Sequence, residues 1–325
     1  MLTVIISNYN QERYISKAIN SVYTQLVDFP LRVIISDDHS IKDHSKEIIQ
    51  RFARQYNNIE TIFADENKGY LANILRALEK TNTKYFCLLD ADDYWTDPFF
   101  LQRAYDYLEA HGEYAIYEAN IEVLSEDGKT KHPMISHKCK SGTYSKEMLL
   151  NNERVLITQT TGMVFRNSIF INEIPDVMKK AVGTRSERSF EGDTGRFIMH
   201  LKEGLAYYDS RIVGVYRLTE DGIWNSLSET QKMILSARLY FDLHQYYGSN
   251  VDYFVNKAYK YLQTYLLEKQ KELTDLTRSD EFIDEYEKLM FDDVYDFCKK
   301  YAGELRPVKH SLKEKIKQIL KIIRE

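Results

Sequence analysis

Three aspartates, Asp90, Asp92 and Asp93, stand within four residues, directly after the apolar run Tyr85–Leu89. Carboxylates this close repel one another, so the cluster costs stability unless a cation neutralises it. A divalent ion that also bridges phosphate oxygens would do so, because Mg²⁺ is typically held by one or two carboxylates plus substrate phosphates. A solvated helix N-terminus, where Asp is also favoured, is the alternative. The spacing alone leaves both interpretations open.

Polar residues also follow three earlier apolar runs. The turn Ser7–Asn10 carries the ring of Tyr9, the pair Asp37 and Asp38 follows the second run, and Asn67–Gly69 after the third opens a helix. Backbone N–H groups at a helix start can face a phosphate. Together the four ends offer a stacking ring, acidic hydrogen-bond acceptors, a phosphate-facing turn and a metal site. This combination predicts a pocket for a nucleoside diphosphate.

The first half of the chain alternates short apolar runs with amphipathic stretches, which is typical of parallel strands joined by crossover helices. Ligands bind such open α/β sheets at the carboxyl ends of the strands. We predict strands at Leu2–Ile6, Arg32–Ser36, Ile59–Ala64, Tyr85–Leu89, Tyr114–Leu124, Thr160–Phe165 and Ile212–Arg217, and helices at Arg13–Gln25, His44–Tyr56, Gly69–Lys80 and Phe99–His111.

The later chain changes character. The polar segment Thr184–Asp193 is predicted to be irregular, and from Glu229 onward helical patterns continue without a convincing strand. The predicted fold class is therefore α/β, with a mixed sheet flanked by helices in residues 1–225 and a helical region in residues 226–325.

Net charge, cysteine count and the lengths of the apolar runs indicate which partners and which cellular compartment to expect. A net charge of -5 in 325 residues gives no reason to expect a nucleic-acid partner. Three separated cysteines without metal-ligand spacing favour a reducing compartment. No apolar run approaches the roughly 20 residues that span a bilayer. We therefore expect a cytoplasmic protein, with any membrane contact peripheral and on the cytoplasmic face.

Residues 306–325 supply one candidate for such a contact. Apolar side chains fall on one helical face and basic side chains occupy the remainder, as in helices that lie on anionic lipid. The same stripe could instead dock on the protein itself. The apolar set is Leu312, Ile316, Ile319, Leu320 and Ile323, and the basic set is Lys313, Lys315, Lys317, Lys321 and Arg324.

The segments Val4–Asn10, Ser36–Ser40, Asn67–Gly69 and Leu89–Asp93 resemble, in order and interval, the successive motifs of family-2 inverting glycosyltransferases. The resemblance implies a GT-A fold, a nucleotide-sugar donor and a divalent metal, Mn²⁺ or Mg²⁺. It also implies that the donor nucleotide contacts Ser7, Tyr9, Asn10, Asp38, Asn67, Gly69, Asp90 and Ala91.

Individual roles follow from the same resemblance. Tyr9 would stack on the base, Asp38 would hydrogen-bond the base or ribose, and Asp90 would lie near the ribose. Asp92 would be the main metal ligand, and Asp93 would share either role. Two turn positions depart from the family pattern. Asn8 replaces a common proline and His39 a common glycine; Asn tolerates turns, and His is among the less rare residues at positive φ.

Glu191 and Asp193 resemble the family's acidic motif ahead of a helix. An inverting transfer needs a carboxylate to accept the proton of the acceptor hydroxyl as it attacks. We assign this base to Asp193, with Glu191 as the fallback. An N-cap role for Asp193 is the alternative.

The segment Val215–Trp224 resembles the family segment that closes over the donor. Many relatives carry a histidine at the position of Thr219. If that histidine binds the metal in them, Glu220, Asp221 or water would complete the coordination in this chain. Arg217 and Trp224 are candidate donor or acceptor contacts, the latter by stacking on a sugar face. An ion-pair role for Arg217 and plain packing of Trp224 are the alternatives.

The predicted protein is an inverting hexosyl- or N-acetylhexosaminyltransferase. It would move a sugar from a nucleotide-diphosphate sugar, expected to be a UDP-sugar, to a hydroxyl of a polysaccharide or lipid-linked oligosaccharide, as in capsule or cell-surface glycan assembly. A nucleotidyltransferase would open with a glycine-rich phosphate loop, where this chain has Ser7–Asn10. A non-catalytic module that binds a nucleotide sugar or a metal is the other alternative.

Overall fold

The computed structural model describes residues 1–219, 222–248, 252–275 and 285–301. Two compact units make up the chain, residues 1–220 and 221–325. The first unit holds the strands β1 Leu2–Asn8, β2 Leu31–Asp37, β3 Ile59–Phe63, β4 Tyr85–Asp90, β5 Tyr94–Trp95, β6 Tyr114–Leu124, β7 Lys131–Pro133, β8 Gly142–Tyr144, β9 Met163–Arg166 and β10 Leu205–Arg217. Its helices are α1 Ile15–Tyr23, α2 Ser45–Gln55, α3 Tyr70–Glu79, α4 Phe100–Ala110, α5 Lys146–Leu150, α6 Asp176–Ala181, α7 Glu187–Glu191 and α8 Asp193–Leu201.

All ten strands form one mixed sheet with the order β3-β2-β1-β4-β9-β6-β10-β5, to which β7 and β8 add at β6 and β10. Strands β1 to β4 pair in parallel, and β10 is parallel to β6. Between these groups β9 runs antiparallel to both β4 and β6. The carboxyl ends of β1 to β4, β6 and β10 therefore share one edge with the amino end of β9.

Helices cover both faces of this sheet. One face carries a large apolar cluster in which Val4, Val33 and Cys87 pack with buried residues of α1, α2 and α4. Side chains of the opposite parity point the other way. There Ser36 on β2 donates to the Asn73 side chain of α3 at 2.6 Å, and Phe86 on β4 and Phe165 on β9 contact His200 of α8.

Most predicted strands and helices are confirmed, and two predictions are wrong. The predicted strand Thr160–Phe165 begins only at Met163, because Thr160–Gly162 forms a short 3-10 turn. The segment Thr184–Asp193 is not irregular throughout. It contains α7, which buries Ser189 and Phe190. Phe190 is the only large apolar residue of the segment, so there was no helical period to detect.

Gly162 is required by close packing at this turn. A Cβ atom there would lie 2.4 Å from the carbonyl oxygen of Ala119 on β6. We predict that Gly162→Ala destabilises the protein by about 1–3 kcal/mol, because backbone cannot move aside as a side chain can. Chemical denaturation measures this. Gly142→Ala, whose Cβ would meet nothing within 4 Å, is the matched control, and equal stability of both variants would contradict the packing argument.

The second unit is helical in its described part, with α9 Glu229–Tyr247, α10 Asp252–Asp275 and α11 Glu285–Tyr301. A capping box at Ser228 and Gln231 starts α9. Tyr265 and Leu266 are buried, as helix packing requires. The predicted tail helix, residues 306–325, lies outside the described residues. Among the described helices none has the length and apolar content to cross a membrane.

Candidate active site

Asp90 ends β4 at the shared edge and is held by protein donors. Its Oδ1 accepts from the hydroxyls of Ser7 and Tyr70, both at 2.8 Å, and its Oδ2 accepts from Gln159 Nε2 at 3.4 Å. The backbone N–H of Ala91 donates to the carbonyl of Ser7 at 3.1 Å. The start of the aspartate cluster is thus fixed to the end of β1.

Asp93 points into the protein and is 1% exposed. Its Oδ2 accepts from Thr161 Oγ1 at 2.6 Å and its Oδ1 from the backbone N–H of Arg217 at 2.9 Å. Burial raises the pKa of this carboxyl well above its usual value, and the charges of Asp92 and Asp90 add to the effect. Both oxygens therefore join the turn after β4 to neighbouring segments.

Asp92 is the half-buried member of the cluster. Thr219 Oγ1 donates to its Oδ2 at 3.5 Å, a long contact. Burial, followed by the charge of Asp90, raises the pKa of Asp92 to about 6. A carboxylate next to like charges with few donors suits a divalent cation. Glu220 and Asp221, the predicted supplementary ligands, lie outside the described residues.

The described residues contain no group of three or more His, Cys, Asp or Glu side chains arranged to hold a metal. Mg²⁺ sites that use one or two carboxylates rely on substrate phosphates for further oxygens. Asp92 at the mouth of the edge fits that type of site, in which the protein supplies part of the coordination shell.

Asp38 is 2% exposed and organises the turn after β3. It accepts from the backbone N–H of Gly69 at 2.8 Å and forms an ion pair with Arg76 at 2.5 Å. Asn67 Oδ1 accepts from the same Gly69 N–H at 3.0 Å. Gly69 has φ of 89°, which glycine adopts without strain. The predicted nucleotide-binding turn is thus built around a buried carboxylate.

The turn after β1 leaves Tyr9 39% exposed, so its ring is available for stacking. Asn10 has φ of 51°, and its backbone N–H donates to Ser40 Oγ at 2.7 Å. His39 has φ of 65°, the left-handed geometry expected for a glycine substitute. Asn8 remains in β1 and donates to the Asp37 carboxylate at 2.7 Å.

Asp193 is the first residue of α8, and Gly192 occupies the N-cap position. Its Oδ1 accepts from the backbone N–H of Thr160 at 2.7 Å and from the Thr160 hydroxyl. Burial raises the pKa of Asp193, while the Thr160 hydrogen bond and the Arg196 charge lower it. The carboxylate therefore binds the segment before β9 and does not cap its own helix.

The remaining candidates, Glu191, Arg217 and Trp224, do not share a common set of contacts. Glu191 pairs with Arg188 at 3.0 Å, and burial raises its pKa. The Arg217 guanidinium lies 5.0 Å from the ring centre of Tyr14 and 4.9 Å from that of Tyr94. Trp224 belongs to the second unit and is 49% exposed.

The segment 158–162, which we call the β9 approach, connects most of these groups. Gln159 contacts Asp90, Thr160 contacts Asp193 and Thr161 contacts Asp93. Thr158 anchors the segment by donating its N–H at 3.0 Å and its hydroxyl at 3.1 Å to the fully buried Glu118. Sequence reasoning missed this role, since it followed only strand carboxyl ends. The run of four hydrogen-bonding residues before an apolar strand was the available signal.

The mixed sheet, with the candidate residues gathered at one edge, places the protein in the GT-A class of folds. The model of "Glycosyl transferase family 2" matches residues 3–172. The chain belongs to glycosyl transferase family 2. The predicted fold class, a GT-A mixed sheet followed by a helical region, is confirmed by the structure and by its likeness to solved GT-A structures.

Two relatives illustrate the range of the family. An uncharacterized protein of Mycobacterium tuberculosis is 31% identical over 241 residues, which cover 73% of this chain and 64% of that protein. The chain thus spans less than two thirds of that relative's length. A Bacillus subtilis protein, TuaG, provisionally described as a teichuronic acid biosynthesis glycosyltransferase, is 24% identical over 71% of this chain and 85% of its own.

Two solved structures share the fold. Staphylococcus aureus TarS 1-349 in complex with UDP-GlcNAc has a TM-score of 0.53 and 14% identity, with 93% of this chain and 91% of that chain covered. The mannosyltransferase PcManGT of Pyrobaculum calidifontis, in complex with GDP-Man and Mn²⁺, has a TM-score of 0.52 and 15% identity, with 94% and 88% covered.

Proposed function

We propose that the protein transfers a sugar, with inversion, from a nucleotide-diphosphate sugar to a hydroxyl of a surface polysaccharide or lipid-linked oligosaccharide. One observation carries the proposal. Consecutive residues of the β9 approach hold Asp90 of the donor-side cluster and Asp193, so a candidate base and a candidate donor site share one rigid support. A pure binding module has no need of a second carboxylate held in this way.

Asp193 acts as the base in this proposal. Its carboxylate takes the proton of the acceptor hydroxyl while that oxygen attacks the anomeric carbon and the bond to the diphosphate breaks. Thr160 holds Oδ1 of the carboxylate through two hydrogen bonds, which fixes its orientation toward the site. Positioning of this kind supplies much of the rate in transfers between two substrates.

Asp92 would hold the divalent metal together with the donor phosphates. When bound, such an ion stabilises the negative charge that develops on the departing diphosphate. Asp90 and Asp93 support the turn that presents Asp92. The complex of PcManGT with Mn²⁺ and a nucleotide sugar supports this choice of cofactor for the shared fold.

The donor is proposed to be a UDP-sugar. Tyr9 stacks on the base, and the Asp38-centred turn Asn67–Gly69 faces the nucleotide. The complex of TarS with UDP-GlcNAc supports a uridine donor, and that of PcManGT with GDP-Man shows that the same fold accepts another base. A panel of donors is therefore the appropriate first experiment.

Release of free nucleoside diphosphate from a panel of UDP-, GDP- and dTDP-sugars tests the proposal. We expect Mn²⁺- or Mg²⁺-dependent release from at least one donor, faster with a glycan acceptor than without. Formation of a nucleoside triphosphate and a sugar 1-phosphate when pyrophosphate is added would instead indicate a nucleotidyltransferase. Binding of donors without any release would indicate the non-catalytic module.

A basic exposed segment suggests that the acceptor is anionic. Residues 128–146 contain five lysines and two histidines and no acidic residue, in a chain of net charge -5. The segment begins at the ligand edge, where Lys131 on β7 pairs with Leu124 at the end of β6. Lys129 and Lys131 pair with acidic neighbours. Lys138 and Lys140 are exposed and have no ion pair within the described residues.

We predict that Lys138→Glu with Lys140→Glu raises the KM for an anionic acceptor about three- to tenfold, the effect expected of two exposed charge pairs. Initial rates with a uronate-containing oligosaccharide and its carboxyl-reduced counterpart measure this. The increase should shrink at high salt and be absent for the neutral acceptor. Arg51→Glu with Arg54→Glu on α2 is a control of equal charge. An equal increase for both acceptors would contradict the proposal.

A further inference from the structure

We propose that Arg196 is a positioning residue that directs the Thr160 hydroxyl toward Asp193 and so keeps this base ready to accept a proton. The inference rests on the proposed function, because it assigns a role relative to the base. It adds two residues, Arg196 and Thr160, that none of the motifs identifies. Arg196 lies three residues after Asp193, so both side chains project from the same face of α8.

The three side chains form a short chain of hydrogen bonds. Arg196 Nη1 donates to Thr160 Oγ1 at 3.1 Å, and Thr160 Oγ1 donates to Asp193 Oδ1. A guanidinium has only donors, whereas a hydroxyl has one hydrogen and two lone pairs. The bond from Arg196 must therefore occupy a lone pair of Oγ1. The single hydroxyl hydrogen is then left for the carboxylate.

Arg196 is itself held firmly. Its side chain is 1% exposed, and Nη2 donates to the carbonyl oxygen of Glu191 at 2.8 Å. A buried cation is costly unless opposite charge compensates it. Within the described residues Arg196 has no direct ion pair, and Asp193 is linked to it through Thr160. The two charged groups therefore form an indirect pair, in which the Thr160 hydroxyl is hydrogen-bonded to both of them.

The charged and titratable groups around Asp193 come from four elements. Asp90 on β4 raises the pKa of Asp193, whereas Arg196 on α8 lowers it. Tyr70 on α3 and Tyr216 on β10 also interact electrostatically with Asp193, and both phenols are neutral near pH 7. Thr160 and Arg196 thus oppose burial and the charge of Asp90, which both disfavour the ionised base.

Thr160→Val tests the inference, since it preserves shape and the backbone N–H donor while it removes the hydroxyl. We expect kcat/KM near pH 7 to fall roughly tenfold, as for the loss of a hydrogen bond to a charged group. The acid limb of the pH profile should move to higher pH, because the base then binds its proton more tightly. The deficit should therefore shrink as pH rises. A loss that is the same at every pH would indicate a structural role and overturn the inference.

Conservative variants keep the test decisive. Thr160→Ser restores the hydroxyl and should return the acid limb toward that of the wild type. Arg196→Met should move the limb as Thr160→Val does, and Arg196→Lys, which retains the charge, should move it less. In the double variant Thr160→Val with Arg196→Met the effects should be less than additive, because one acts through the other. Thermal unfolding of each variant identifies any that fail to fold.

The outcomes separate this inference from the function on which it rests. If the wild type releases no nucleoside diphosphate from any donor, the proposed function fails. If the wild type is active and Asp193→Asn is inactive, but Thr160→Val and Arg196→Met leave the acid limb in place, only the positioning role fails.

Discussion

Replacement of Asp193 by Asn is expected to lower kcat by about 10²–10⁴-fold, the range for loss of a general base, without loss of donor binding. Asn keeps an oxygen that accepts from the Thr160 N–H, so the geometry of the β9 approach should survive. It cannot accept the proton of the acceptor hydroxyl. Nucleotide release with acceptor and calorimetric titration with the nucleoside diphosphate measure the two quantities separately.

Glu191→Gln is the matched control, because Glu191 is the neighbouring acidic residue and pairs with Arg188 instead of the β9 approach. We expect a much smaller effect on kcat. If Glu191→Gln removes turnover and Asp193→Asn does not, the base is Glu191. The proposed effect of Thr160 and Arg196 on the pH profile would then fail as well, because it assumes that Asp193 is the base. Unchanged turnover in both variants would remove the carboxylate base from the mechanism.

The positions of the candidate donor-binding residues could be predicted, because these residues follow parallel strands. The apolar composition of runs such as Leu2–Asn8 and Tyr85–Asp90 predicts buried strands, and the carboxyl ends of parallel strands meet at one edge of the sheet. The backbone geometry of one turn could also be predicted. Positive φ at His39 follows from its place in a motif that usually carries glycine there.

The β9 approach could not be placed in the same way. Its strand, Met163–Arg166, runs antiparallel between β4 and β6, so the residues before it reach the ligand edge. Strand direction depends on long-range pairing that no local pattern records. The sequence therefore predicts a strand from Thr160 onward and gives no sign that Gln159, Thr160 and Thr161 each contact a carboxylate of the candidate site.

The sequence also could not predict the direction of each side chain within the aspartate cluster. The family resemblance makes Asp92 the main metal ligand but leaves Asp93 able to share that role. The structure gives them unlike surroundings: Asp93 is buried against Thr161 and the Arg217 N–H, while Asp92 is half-buried and has one long contact. Turn geometry after β4 decides which carboxylate faces the edge, and three adjacent aspartates offer no local signal of that choice.

Asp92→Asn and Asp93→Asn are accordingly expected to fail in different ways. Asp92→Asn should abolish metal-dependent release and reduce the affinity of the donor complex for Mn²⁺ by at least tenfold, as expected when a direct ligand is neutralised. The metal-free protein should not lose thermal stability, since removal of one of three like charges relieves repulsion. Asp93→Asn should instead lower stability by about 1–3 kcal/mol, because it disturbs a buried, hydrogen-bonded group, and should retain more of the Mn²⁺ affinity.

Titration of Mn²⁺ in the presence of nucleoside diphosphate, followed by electron paramagnetic resonance, measures the affinity independently of turnover. Thermal unfolding without metal measures stability. Loss of Mn²⁺ affinity in Asp93→Asn with normal affinity in Asp92→Asn would reverse the assignment of the two residues. Equal loss in both would mean that the cluster acts as a unit, in which case the hydrogen bonds from Thr161 and Arg217 to Asp93 orient a ligand that the metal shares with Asp92.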